Sequence, residues 1–180
     1  MSRGDLSFAE AMNRGARLLE QGRPRQALPL LIQAASRRPD DMDAAINLGG
    51  AHIMLRRFEQ AIAILEEAAQ REPDNSKVWI NLGAAYLGDP ETATPEQQAD
   101  AIAAFERALE LDPAAPSVNY NLGLIYRDRA ELQTALAHFR RAAAINPLDR
   151  DARMLMIKLE RLCGEGTEAA GSPDGGDGGR

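Results

Sequence analysis

Asn47-Leu48-Gly49, Asn81-Leu82-Gly83 and Asn121-Leu122-Gly123 are three copies of one tripeptide, separated by 34 and 40 residues. Pro39, Pro73, Pro113 and Pro147 follow the same beat, at spacings of 34, 40 and 34. Two independent markers thus share one period, and both lengthen by six residues at the same place. A third marker lies between them: Ala27-Leu28-x-x-Leu31-x-x-Ala34, Ala61-Ile62-x-x-Leu65-x-x-Ala68, Ala101-Ile102-x-x-Phe105-x-x-Ala108 and Ala135-Leu136-x-x-Phe139-x-x-Ala142. Self-similarity at a fixed period of this length marks stacked supersecondary units, none of which buries its apolar face alone.

Each unit decodes into two helices. Trp79, Leu82, Gly83 and Tyr86 fall at i, i+3, i+4 and i+7, and Ala101, Ile102, Phe105 and Ala108 do much the same. The alanines and the glycine let helix axes approach closely while the larger side chains of the facing helix fill the gap. Each repeated proline is expected to close a second helix, because the residue before a proline is pushed out of the α region. In the third unit Thr94-Pro95-Glu96-Gln97 has the form of a capping box with proline at the first helical position. The second helix is therefore predicted to start near Pro95, with the six surplus residues in about Gly88 to Ala93. A longer loop costs little closure entropy, so this one reads either as tolerated length or as a partner contact. Beyond the last unit, Met154, Leu155, Ile157, Leu159 and Leu162 make an amphipathic stretch, a ninth helix over about 150–162 that covers the fourth unit.

On these residues the chain resembles the tetratricopeptide repeat (TPR) family over residues 8–149, in repeats 8–41, 42–75, 76–115 and 116–149. The resemblance implies an all-α fold, a right-handed α-solenoid of four helical hairpins plus a C-terminal capping helix. Residues 1–7 are then a leader, 8–162 the domain and 163–180 a tail. The family's tryptophan stands only in the third repeat, as Trp79, with Ala11, Ala45 and Asn119 in its place elsewhere. Arg14 replaces the leucine of the Leu-Gly pair in the first repeat, which suits a solvent-facing cap.

Composition agrees. The 180 residues include 32 alanines against 4 % aromatics, which favours closely packed helices over a sheet. The net charge is −6 and the pI near 5.0, without the basic footprint that a phosphate backbone attracts, so no nucleic acid partner is expected. One cysteine, Cys163, forms no internal disulfide, and His52 and His138 are too few and too far apart for a zinc site, so no metal or cofactor is expected. The start Met1-Ser2-Arg3-Gly4-Asp5 lacks the unbroken apolar stretch of a secretory signal. No apolar run approaches the roughly 18 residues of a membrane span, and Pro29 interrupts Leu28 to Ile32, one of the longest. A cytoplasmic protein without membrane insertion is the expectation. Gly164 to Arg180 holds seven of the fifteen glycines and no large apolar side chain, so a disordered tail is expected.

Enzymatic chemistry needs converging groups. His52 occupies the inward position of Tyr86 and Tyr126 and reads as a packed histidine; His138, one residue before Phe139, reads as solvent-facing. Cys163 lacks a neighbouring base, and the tail glycines sit in no strand-loop-helix context. The chain reads as a non-enzyme.

By resemblance, the first helices of TPR hairpins line a concave groove that binds peptide segments of partner proteins. On that face stand Asn47, Asn81 and Asn121, the apolar Ile46, Ile80, Tyr120 and Leu124, and the charged Lys77 and Arg127, with Met12 and Asn13 as first-repeat counterparts. Asparagine carries both donors and an acceptor, so such a row is able to pair with the main chain of an extended peptide whatever its side chains. The apolar row Met12, Ile46, Ile80 and Tyr120 is not required for packing between helices on this reading. A subset of the family grips acidic chaperone tails through a clamp of lysines, an arginine and asparagines. Only Asn47 and Lys77 match it, while Met12, Ala16 and Asn81 depart, which disfavours such a ligand. The expected function is a scaffold or adaptor that binds an extended, largely uncharged or apolar peptide segment of a protein partner. The alternative is a structural subunit of a larger complex or homo-oligomer using the same faces, and the oligomeric state stays open.

Overall fold

The computed structural model describes residues 6–169. Among them the regular elements are nine helices and no strand: α1 (Phe8–Glu20), α2 (Pro24–Arg37), α3 (Met42–Met54), α4 (Phe58–Arg71), α5 (Ser76–Leu87), α6 (Pro95–Leu111), α7 (Pro116–Asp128), α8 (Leu132–Ile145) and α9 (Arg150–Ala169). The first helices start at Phe8, Met42, Ser76 and Pro116, where the repeat period puts them. The last helix does not stop near Leu162 but runs on to Ala169. Gly164 and Gly166 are isolated there among residues that helices tolerate, and a single glycine costs only about 1 kcal/mol against alanine. Residues 1–5 of the leader and the tail from 170 lie outside the described residues.

The chain divides into two compact units with the boundary between Pro113 and Ala114. In the first, α1 packs on α2, α3 on α4 and α5 on α6; α2 also meets α3, α4 meets α5, and the first helices α1, α3 and α5 are neighbours in one layer. In the second, α7 packs on α8 and α8 on α9. The repeated alanines Ala27, Ala34, Ala61, Ala68, Ala101, Ala108, Ala135 and Ala142 are all buried.

Within each hairpin one contact sets the distance between the two axes. A Cβ added at Gly83 would stand 2.6 Å from the Phe105 ring, at Gly49 2.8 Å from Leu65, at Gly123 2.9 Å from Phe139, and at Gly15 2.6 Å from Leu31. A large side chain of the second helix thus lies flat against bare backbone of the first, at separations no Cβ tolerates.

The turns repeat as well. After α1, α3 and α7 the residues Gly22, Arg56 and Ala130 have φ of +67°, +57° and +60°, and each chain reversal is closed by the same pair of bonds. Arg23 N–H donates to Leu18 O, Arg57 N–H to His52 O and Glu131 N–H to Tyr126 O, at 2.8, 2.9 and 2.8 Å, which is the Schellman closure of a helix end. At the other end of each hairpin Arg38, Glu72, Asp112 and Asn146 are extended, with ψ between 74° and 88°, because each precedes one of the repeated prolines. Asp41, Asn75 and Asp149 then cap the next helix, and Trp79 fastens the turn before α5 by donating its indole N–H to Pro73 O at 2.8 Å.

The third hairpin breaks this turn with its surplus residues. The loop leaves α5 at Gly88 (φ +63°) and enters α6 through a capping box in which Thr94 accepts from Gln97 N–H and Gln97 accepts from Thr94 N–H. Its first part is tied to the preceding hairpin: Asp89 pairs with Arg56, and Gly88 lies against Phe58.

The glycine contact separates two opposed effects of one substitution. Gly83→Ala is expected to lower stability by about 1 to 3 kcal/mol because its Cβ overlaps Phe105. Gly50→Ala, whose Cβ would meet only Asn81 Oδ1 at 3.7 Å, is expected to raise stability by about 0.5 to 1 kcal/mol through helix propensity. Paired denaturant titrations check both signs.

Candidate functional site

In the first unit Gly50 of α3 lies beside the Asn81 side chain of α5, so the asparagine-bearing faces of these helices adjoin. Ile46, Asn47, Ile80 and Asn81 are half-buried there and Lys77 is exposed. The asparagines are not equivalent. Asn81 turns its amide back along its own helix and donates to Lys77 O at 2.9 Å. Among the described residues Asn47 and Asn121 have no side-chain hydrogen bond, and neither has a polar atom sealed from water without a partner. In the second unit Asn121 shares α7 with Tyr120, Leu124 and Arg127, and Arg127 donates through Nε and Nη2 to Asp128 at 2.9 and 2.7 Å.

Apart from Ile80, the apolar row proves to be part of the packing. Met12 packs against the buried Ala27, Leu31 and Ala51, and Ile46 against the cluster of Leu65, Val78 and Leu82. Tyr120 meets Phe139 edge-on, with ring centroids 5.8 Å apart, and Tyr120 and Leu124 both pack against the buried core of α8 and α9. The physical reason is the width of the buried stripe: long side chains at its edge are drawn into the contacts beside it. Burial, then Asp151 and Asp149, raises the Tyr120 phenol above its ordinary pKa.

The two histidines also lie in packing positions. His138 is not solvent-facing: its ring stacks on Tyr126 at 5.5 Å and 6°, and its Nδ1–H donates to Asn119 Oδ1 at 3.2 Å. Asn119, in the tryptophan position of the repeat, is 2 % exposed. The register carried the signal, since the counterparts of His138 in the other repeats are the apolar Leu30, Ile64 and Ala104, half-buried or buried. His52 is half-buried, with its Nδ1 shut off from water and without a hydrogen-bond partner. Tyr86, one repeat on, instead donates to Glu66 at 2.7 Å, and burial and that carboxylate push its phenol well above the ordinary value. Cys163 packs against the α8 and α9 core. Among the described residues no group of three or more His, Cys, Asp or Glu side chains converges to hold a metal, and no helix is long and apolar enough to cross a membrane.

Three family models match the sequence: a tetratricopeptide repeat over residues 18–84, a TPR repeat over 96–128 and a tetratricopeptide repeat over 120–152. The chain belongs to the tetratricopeptide repeat family. As a TPR protein it carries the family's all-α fold and belongs among scaffolds for protein interaction. No curated protein sequence matches it. Among solved structures it is similar to TTC0263, a thermophilic TPR protein of Thermus thermophilus, at 21 % identity over 88 % of this chain and 84 % of that one, with a TM-score of 0.76. It is also similar to MamA, at 20 % identity over 87 % and 88 % with a TM-score of 0.68, and to MamA of Desulfovibrio magneticus RS-1, at 22 % over 80 % and 78 % with a TM-score of 0.65. At these identities the likeness is one of fold.

The buried imidazoles of this TPR protein make its stability pH-dependent. Burial, followed by Arg57 for His52 and by Arg141 for His138, holds both rings below the ordinary value of 6.5. The folded chain therefore binds protons less readily than the unfolded one. Stability is full above pH 6.5 and falls as the pH drops through 6.5 toward the lowered folded values. Denaturation midpoints taken between pH 7.5 and 5.5 are expected to fall in the wild type, and to fall less in His52→Phe and in His138→Gln.

Proposed function

We propose that this chain is a non-enzymatic adaptor whose first-helix faces take up an extended, largely uncharged or apolar peptide segment of a protein partner, in the cytoplasm. The observation that carries this reading is the state of the asparagines. Asn47 and Asn121 present side-chain amides that no other group of the described chain engages, beside half-buried apolar side chains on the same helices. An extended peptide needs a donor and an acceptor at intervals along its main chain, and an asparagine offers both. Asn81 contributes less, because one of its donors is held by Lys77 O. Apolar anchoring falls mainly to Ile80, with Ile46, Tyr120 and Leu124 half-committed to packing. Lys77 and Arg127 stand at the margin of this face, and the Asp128 carboxylate beside Arg127 lowers its pull on an acidic ligand.

Selection of short peptides from a displayed random library against the full chain supplies a defined ligand for testing. Enriched sequences are expected to be poor in charge. Asn47→Ala or Asn121→Ala should each weaken binding by roughly 5- to 150-fold, since each loses up to two hydrogen bonds of about 0.5 to 1.5 kcal/mol, and Asn81→Ala should cost less. Ile80→Asp should abolish it, and moderate salt should change it little. Selected peptides that bind these variants as they bind the wild type, yet lose affinity when the loop from Gly88 to Ala93 is altered, would overturn the reading.

A further inference from the structure

We propose that the outward face of α9 is a docking site for an acidic amphipathic helix of a partner chain. α9 starts 34 residues after α7 and is capped as α3 is, Asp149 accepting from Ala152 N–H at 3.0 Å as Asp41 accepts from Ala44 N–H. Its inward face, Ala152, Leu155, Met156 and Leu159, sits where α7 places Val118, Asn121, Leu122 and Ile125, and packs on α8. α9 is thus the first helix of a fifth hairpin, and no second helix follows it among the described residues. Residues 170–180 hold no large apolar side chain, so that stretch does not provide the missing face.

Ile157 falls in the register of Gly15, Gly49, Gly83 and Gly123, the very position that receives the second helix of each hairpin. It is 51 % exposed, and Met154, one turn before, is 62 % exposed. Of the seven large exposed apolar residues described, five lie between Ile145 and Leu162. Such concentration at one end marks an interaction surface rather than scattered exposure.

Charge decides the occupant. Arg150 and Arg153 line a shallow groove of about 270 Å³ together with Met154 and Ile157, and Lys158 and Arg161 are exposed on the same helix. Of the nearby carboxylates, Glu160 pairs with Arg140 at 2.9 Å and Asp149 serves as the cap, which leaves Asp151 exposed at the margin against four cations. This is a basic strip with an apolar centre on a chain of net charge −6. A second copy that paired α9 with α9, or end to end through the groove of α1 and α2 lined by Arg14, Arg17 and Arg23, would set like charges face to face. An acidic partner helix meets neither obstacle. Because Ile157 stands where glycine stands in the other hairpins, the incoming helix must offer a small residue there instead of Leu or Phe.

A stapled peptide of residues 95–112 carrying Phe105→Ala is a suitable probe, since it is a natural second helix of this fold with five acidic residues and one arginine. Fluorescence anisotropy with the full chain should show saturable binding, weakened about tenfold or more by Ile157→Asp and by Arg150→Glu with Arg153→Glu, but unchanged by Asn47→Ala. Circular dichroism melts establish that each variant is folded, which the exposure of these positions favours. No saturation at about 1 mM, or equal binding of a probe with its acidic residues changed to amides, overturns the proposal. A peptide-free dimer in sedimentation that Ile157→Asp converts to monomer overturns it in favour of a second copy.

Discussion

The contact between a bare stretch of first-helix backbone and one large side chain of the second helix sets the geometry on which everything else in this molecule depends. Leu31, Leu65, Phe105 and Phe139 each lie where a Cβ would stand, so each hairpin closes to a spacing that only glycine permits. The repeated alanines of the second helices are buried beside these contacts. Packing at this density tolerates little change in volume, which is why one methyl group weighs more here than a surface ion pair such as that of Arg56 with Asp89.

That constraint explains what was legible in the sequence. A glycine that faces a large residue must recur with the unit, so the period, the hairpin boundaries and the start of α6 could be read directly from Asn-Leu-Gly, the prolines and the Thr94 capping box. What escaped were positions where the residue type changed while the register did not. His138 looked exposed beside Phe139, yet it fills the slot of Leu30, Ile64 and Ala104, and its polar atom is satisfied by Asn119, itself a departure from the repeat pattern. Two departures that compensate each other in space, 19 residues apart, are invisible to a reading that takes each repeat position singly. The extent of α9 escaped because glycine is a weak helix breaker, and its composition was taken with that of the tail.

The candidate site was legible to a smaller degree. Periodicity places Asn47, Asn81 and Asn121 on one kind of face, but it carries no information on rotamers, and the rotamer decides whether an amide turns to its own helix, as in Asn81, or outward. Nor does the pattern separate an apolar side chain that waits for a ligand from one at the margin of the core. Ile46 and Tyr120 are both: each has one flank on buried neighbours and another in water. A peptide that binds beside them gains from side chains whose conformations are already fixed by packing, so less entropy remains to be lost on binding.

A stack of repeats must also end, and ending is a physical problem distinct from stacking. Each hairpin exposes the surface that the next one would cover, and a chain either solvates that surface or leaves it for a partner. The first hairpin takes the former course, with Arg14 where later repeats have leucine and with Glu10 held in the α1 capping box by Ser7. At α9 the side toward α8 is filled by Leu155, Met156 and Leu159, whereas the opposite side keeps Met154 and Ile157 in water beside Arg150 and Arg153. Cations around an exposed apolar centre keep the surface soluble and repel its own copies, while lowering the barrier to an acidic partner. On this proposal the same residues select what extends the stack.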